Sequence, residues 1–148
     1  MVTTSPAASP CPIARSLAVL GERWTLLVVR EAFSGRTRFA DFRAQLGIAP
    51  DVLTDRLQTL VEFGILERRA YREERQRERT EYVLTPAGRD LTPVLASLAG
   101  WGRDHLPAER FSTSRFVEIA TDNPVRLTFV DGQDRPIPAA EVALVQAS

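Results

Sequence analysis

The stretch Phe39–Tyr71, FADFRAQLGIAPDVLTDRLQTLVEFGILERRAY, decides how this chain folds. Its apolar residues first recur at helical spacing, with Phe39, Phe42 and Leu46 on one face and Gly47 as the stop. After a short link, Pro50 opens a longer helix, 50–63, with Leu53, Leu57, Leu60 and Val61 inward and Gly64 at its end. Ala49 has no side-chain oxygen to cap that helix, a loss of about 0.5–2 kcal/mol relative to a capping residue. Two helices joined by a tight glycine turn form a helix-turn-helix. The second presents Asp51, Thr54, Asp55 and Gln58 on its outer face.

The residues that follow switch period. ILERRAY and TEYVLT read as the strands of a hairpin, with Tyr82 and Leu84 on one side of the second, and residues 72–79 form its tip. From Leu66 to Arg79 ten of fourteen residues are charged, six arginines and four glutamates. A solvated helix face is the bland reading of such a run. Glu73 and Arg77 would pair at i,i+4, but Glu74/Glu78 and Arg75/Arg79 place like charges at that spacing, and no apolar position holds a helix down. A projecting hairpin fits better.

Upstream, CPIARSLAVLG reads as a helix with Pro12 in its first turn and Gly21 after its end. ERWTLLVVREAF is a second helix, with Trp24, Leu27, Val28 and Ala32 at helical spacing and Leu26 and Val29 making it apolar nearly all round, so it belongs at the centre. Downstream, Thr85 is a good N-cap and Pro86 a good first residue for a last helix, 86–106. Its stripe is Leu91, Val94, Leu95, Leu98 and Trp101, and a bend is expected at Pro93. Helix, helix, helix-turn-helix, charged hairpin, helix is the order of a winged helix. The tail reads as β: RFVEIA, VRLTFV and EVALV as short strands, with Asp131-Gly132 as a turn. The expected fold class is therefore mainly α with small β, a winged helix-turn-helix with dimerisation helices and a short β-rich C-terminal extension. The expected divisions are a disordered lead 1–10, a domain 11–106 and the extension 107–148.

At 148 residues the chain is long enough for one domain with a real core. Basic and acidic residues balance at 19 each, and every basic residue is arginine. Net neutrality argues against a non-specific polyanion binder but leaves room for one basic face. The arginine fork suits phosphates and base edges. A single cysteine, Cys11, excludes an internal disulfide and a cysteine-based zinc site. No apolar run approaches membrane-spanning length, and the start lacks a secretory pattern, so a cytoplasmic chain that does not contact membrane is expected. No cofactor and no metal are expected.

The initial Cys-Pro, RWTLLVVREAF, RFADF, VLTDRL, LVEFGILERR and EYVLTPAGRDL, in that order, closely resemble the HxlR-type winged-helix transcriptional regulators, relatives of the MarR group. The resemblance runs from Cys11 to about Trp101. It implies a regulator that binds double-stranded DNA as a homodimer, with helices 12–20 and 86–106 building the dimer. Helix 50–63 would enter the major groove and the wing 71–79 would meet the flanking backbone or minor groove. A two-fold dimer would set its recognition helices about 34–36 Å apart on a palindromic operator.

Candidate DNA contacts on helix 50–63 are Thr54, Arg56 and Gln58, with Asp51 and Asp55 able to accept from cytosine N4 or to favour the helix N-terminus. Arg56 reads equally as a base or phosphate contact and as an ion pair with a glutamate of its own domain. Arg38 and Arg43 would clamp phosphates, as would Arg72, Arg75, Arg77 and Arg79 in the wing, while Arg68 and Arg69 line the hairpin stem. Cys11 reads either as a small packed hydrophobe or as a redox-sensing thiol at a helix N-terminus with Arg15 one turn on. Some members of the family sense oxidants this way, so an oxidant or small-molecule effector is implied. The tail 111–148, with three arginines against five acids, is not a DNA arm; it would extend the dimer interface, lid an effector pocket or serve structure alone. Trp24, Phe33, Phe39, Phe42 and Trp101 would line such a pocket or simply form core.

An enzyme is disfavoured. His105 is the one histidine, there is no paired-acid constellation or phosphate loop, and a Cys11/His105 dyad has no support from spacing. The alternative kept open is a winged-helix protein–protein module without sequence-specific DNA binding, which a steep loss of DNA binding with salt would exclude.

Overall fold

The computed structural model describes residues 9–72, 77–107 and 115–145. Contacts divide the chain into two units, residues 1–92 and 93–148. Residues 1–8 of the expected lead lie outside the described part.

The first unit begins with α1 (Pro12–Leu20) and α2 (Arg23–Phe33). α2 packs against α1, α3 (Phe39–Leu46) and α4 (Pro50–Glu62), so it is central, as its apolar composition requires. Thr25, Val28, Val29, Phe42, Leu53, Leu57, Leu60 and Leu66 form the fully buried core. The inward face of α2 differs from expectation: Trp24, Leu27 and Ala32 are half-buried, while Thr25 and the charged Glu31 are buried. Glu31 tolerates this because two guanidinium groups meet it. Arg30 Nε donates to Oε1 at 2.8 Å, and Arg36 Nη1 lies 2.8 Å from Oε2.

Gly47 links α3 to α4 at φ +60, the left-handed conformation that a Cβ disfavours. Its N–H donates to Arg43 O at 2.9 Å and closes α3. Ala49 precedes α4 without a side-chain cap bond, as its methyl dictates. These helices are the expected helix-turn-helix.

β1 (Leu66–Tyr71) and β2 (Arg79–Leu84) pair antiparallel, from Leu66 opposite Leu84 to Tyr71 opposite Arg79. A third short segment joins them, unread from the sequence. Tyr82 N–H donates to Thr37 O at 2.7 Å, and Arg38 bridges Glu81. The residues just before α3 are thereby fixed to the wing.

Thr85 joins three elements. Its Oγ1 donates to Gly64 O at 2.5 Å, where α4 ends, and accepts from Gly88 N–H at 3.0 Å in α5 (Pro86–Arg89). Thr85 N–H donates to Ile65 O at 3.1 Å. Gly88 is packed so closely that a Cβ there would stand 2.2 Å from Ile65 O.

The expected last helix, 86–106, is two helices, α5 and α6 (Thr92–His105). The cause is the anticipated proline. Pro93 has no N–H for the carbonyl of Arg89, and Thr92 Oγ1 donates to that oxygen instead at 2.7 Å. Within the second unit, α6 buries Leu95 and exposes Val94, Leu98 and Trp101.

The rest of the second unit carries less strand than expected. Among the described residues only β3 (Phe129–Val130) and β4 (Pro136–Ile137) pair, and Val117 forms an isolated bridge with Pro124. EVALV is not a strand; its Glu141 ends a 3-10 turn, Ala139–Glu141. Pro124, Pro136 and Pro138 cannot donate to a ladder, which keeps the pairings short. The expected turn at Asp131-Gly132 is present. Asp131 accepts from the N–H of Gln133 at 2.8 Å and of Arg135 at 3.1 Å, and from Arg135 Nε at 2.8 Å.

Candidate nucleic-acid interface

The inward leucines of α4 fix its rotation. With Leu53, Leu57 and Leu60 in the core, Asp51, Thr54, Asp55 and Gln58 are exposed on the opposite side. Thr54 Oγ1 donates to Pro50 O at 2.8 Å and Gln58 Nε2 to Glu62 Oε1 at 2.8 Å. Both side chains are held along the helix, and both partners lie on the same helix, so either can turn outward without disturbing the core.

Arg56 lies elsewhere. It flanks the buried face, its side chain is 22% exposed, and its Nη1 lies 4.0 Å from Glu22 Oε2 at the start of α2. Its Nε is buried without a hydrogen-bond partner among the described residues. Of the two readings open for Arg56, this geometry favours the glutamate of its own domain.

The remaining candidate cations lie on α3 and on the hairpin, with Arg38 just before α3. Arg43 is exposed in the last turn of α3, and Arg72, Arg77 and Arg79 are exposed at the hairpin end. Arg75 and the rest of the tip, residues 73–76, lie outside the described residues. Arg69 in the stem pairs with Glu67 at 2.5 Å, as a stem residue can. Arg38 sits with its guanidinium carbon 4.7 Å from the centroid of Tyr71, over the ring face. Sequence reasoning missed Tyr71, because only the Thr37–Arg38 pairing with β2 brings it to Arg38. Arg38, Asp41, Tyr71, Arg79 and Thr80 line a notch of about 320 Å³ beside the first turn of α3.

Cys11 is exposed at the N-cap of α1. Arg15 donates to the carbonyls of Ser9, at 3.0 Å, and Pro10, at 3.4 Å, which holds its charge beside the start of the helix. Phe42 is core, Trp24, Phe33 and Phe39 are half-buried, and Trp101 is exposed. In the second unit a cavity of about 370 Å³ is lined by Pro93, Ser97, Leu127, Phe129, Ile137 and Pro138. Among the described residues no group of acids, histidine and cysteine could hold a metal, and no helix is long and apolar enough to cross a membrane.

Comparison with known proteins yields a consistent set. A family model described as HxlR-like helix-turn-helix matches residues 19–110. Rv3095 of Mycobacterium tuberculosis, an uncharacterized HTH-type transcriptional regulator, is 46% identical over 95 residues, 64% of this chain and 59% of its own length. The match thus spans about three fifths of that mycobacterial relative. YtfH of Escherichia coli, also an uncharacterized HTH-type transcriptional regulator, is 34% identical over 101 residues, 68% of this chain and 79% of its own. The crystal structure of PA1607 superposes with a TM-score of 0.80 at 39% identity, covering 97% of this chain and 100% of that one. The redox regulator HypR in its reduced form superposes at 0.57 with 30% identity, covering 64% of this chain and 92% of its own.

Proposed function

Because the chain belongs to the HxlR-like helix-turn-helix family, we propose that it is a transcriptional regulator that binds a palindromic DNA operator as a homodimer. One observation carries the reading. The exposed face of α4, Asp51, Thr54, Asp55 and Gln58, is polar, and α3 and the hairpin end carry exposed arginines, Arg43, Arg72, Arg77 and Arg79. α4 enters the major groove, where Gln58 and Thr54 reach base edges and Asp51 or Asp55 accepts from cytosine N4. Arg38, Arg43, Arg72, Arg77 and Arg79 meet phosphates, which position the protein without reading sequence. Arg75 belongs with them on sequence grounds alone. Arg56 supports α4 from the side.

Apolar side chains support the homodimer. α1 exposes Ile13 and Leu17 at 59% and 58%, and α6 exposes Val94, Leu98 and Trp101. Each helix offers such a face to a second copy. Exposure of Cys11 supports an oxidant response through that thiol, and the cavity of about 370 Å³ in the second unit is large enough for a small-molecule effector.

The test is a fluorescence-anisotropy titration against the upstream intergenic duplex and a scrambled one, across a salt series, with and without diamide. Selective binding that weakens steeply with salt supports the operator reading. Loss of binding on oxidation that Cys11→Ser prevents supports the thiol. Indifference of both duplexes to salt rejects DNA binding in favour of a protein-contact module.

A further inference from the structure

From the notch between α3 and the tip end of the hairpin strands we infer that Tyr71 is a positioning residue for DNA: its ring holds Arg38 so that Arg38 and Arg79 together seat one backbone phosphate. The inference deepens the DNA-binding reading above and rests on it. No part of the sequence pattern singles out Tyr71; the fold does.

Two backbone links fix the place. Tyr82 N–H on β2 donates to Thr37 O at 2.7 Å, and Arg38 bridges Glu81. The main chain of Arg38 is therefore part of the wing sheet and does not swing with a loop. Tyr71 is the last residue of β1 and pairs with Arg79, which sets its half-buried ring at the mouth of the notch with Arg79 and Thr80. The guanidinium of Arg38 then lies 4.7 Å from the ring centroid.

The chemistry follows from that stacking. A guanidinium held by its face directs its N–H bonds in its own plane, so the ring selects the direction in which Arg38 donates. An arginine fixed in this way gives up less side-chain entropy on meeting a phosphate than a free one would. Arg79 supplies a second cation, and Thr80 and Asp41 line the notch as well.

The experiment compares wild type with Arg38→Gln, Tyr71→Leu, Tyr71→Phe and the double variant Arg38→Gln/Tyr71→Leu. Each is titrated against the operator duplex across a salt series, with circular dichroism to confirm the fold. Phenylalanine keeps the ring face, so Tyr71→Phe should bind as wild type does. Tyr71→Leu and Arg38→Gln should each weaken binding about fivefold, on cognate and scrambled duplex alike, with the salt slope reduced by about one. The double variant should match either single one, because both act on the same phosphate. Weakening of Tyr71→Leu with an unchanged slope, or binding equal to wild type, overturns the inference while leaving DNA binding intact.

A second readout does not depend on the duplex. Inorganic phosphate titrated into the protein should shift the Arg38 and Arg79 Nε–Hε resonances in wild type and Tyr71→Phe, but not in Tyr71→Leu. Shifts without duplex binding would reject the operator reading and keep the phosphate seat. No shifts would reject the seat.

Discussion

The carboxylate of Glu31, 4% exposed, faces the guanidinium of Arg36 at 2.8 Å across the turn that separates α2 from α3. Arg36 also donates to Gln45 Oε1 at 3.2 Å near the end of α3. A buried acid of the central helix thus fixes the loop that leads into the helix-turn-helix. Glu31→Gln keeps the shape and removes the charge. It should lower the unfolding free energy by about 1.5–3 kcal/mol, the range for hydrogen bonds to charged groups. Urea denaturation would measure this, and a drop under about half a kcal/mol would show the pair to be ornamental.

Gly88 touches the carbonyl of Ile65 so closely that alanine cannot enter without displacing backbone. Gly88→Ala should cost about 1–3 kcal/mol, as overpacking generally does, despite alanine being the better helix former. A thermal melt unchanged from wild type would mean that the joint has slack.

Gln58 donates to Glu62 at 2.8 Å, and the proposed base contact requires it to leave that partner. Gln58→Ala should reduce discrimination between operator and scrambled duplex by about 1–3 kcal/mol, with little change in stability. Glu62→Ala frees the amide and should tighten operator binding. Opposite signs in a paired anisotropy titration are the expected signature.

Arg72 and Arg77 flank the hairpin end and are both exposed. Replacing each with glutamine should lower the slope of log affinity against log salt by about 0.9 for every phosphate that is no longer neutralised. The effect should be equal on specific and scrambled duplexes. A change confined to the operator would assign these residues to base readout.

Asp131 is held below the ordinary carboxylate range, first by the Arg135 side chain and then by the N–H groups of Gln133 and Arg135. A depressed carboxyl stabilises its turn above the unfolded pKa, and that contribution disappears as pH falls through the lowered value. The Gln133 and Arg135 amide resonances should therefore move in acid and stay fixed at neutral pH. Asp131→Asn should abolish the movement.

The helices of the first unit are legible in the sequence because periodicity and punctuation agree. Leu53, Leu57 and Leu60 fall inward, Pro50 opens the helix, and Gly47 takes the left-handed turn. What escapes is decided by tertiary pairing. Burial of Glu31 depends on Arg36 folding back over it, and Arg38 reaches Tyr71 only through the Thr37–Tyr82 bond. The tail alternates like a set of strands, yet Pro124, Pro136 and Pro138 cannot join a ladder, and they outweigh the alternation. Arg56 is ambiguous by spacing, since it stands at the border of the inward face, and its place beside Glu22 is a fact of packing.

Thr85 and Gly88 leave no play between the end of α4 and the base of the hairpin. The distance from helix to hairpin is consequently a gauge, and in the proposed complex the duplex is what must conform to it. Adding one base pair between the groove contacts and the flanking phosphates would turn those phosphates out of phase by about a tenth of a helical revolution. Such a rotation cannot be absorbed by flexing the protein, so operators with identical contacted bases would still be sorted by their twist.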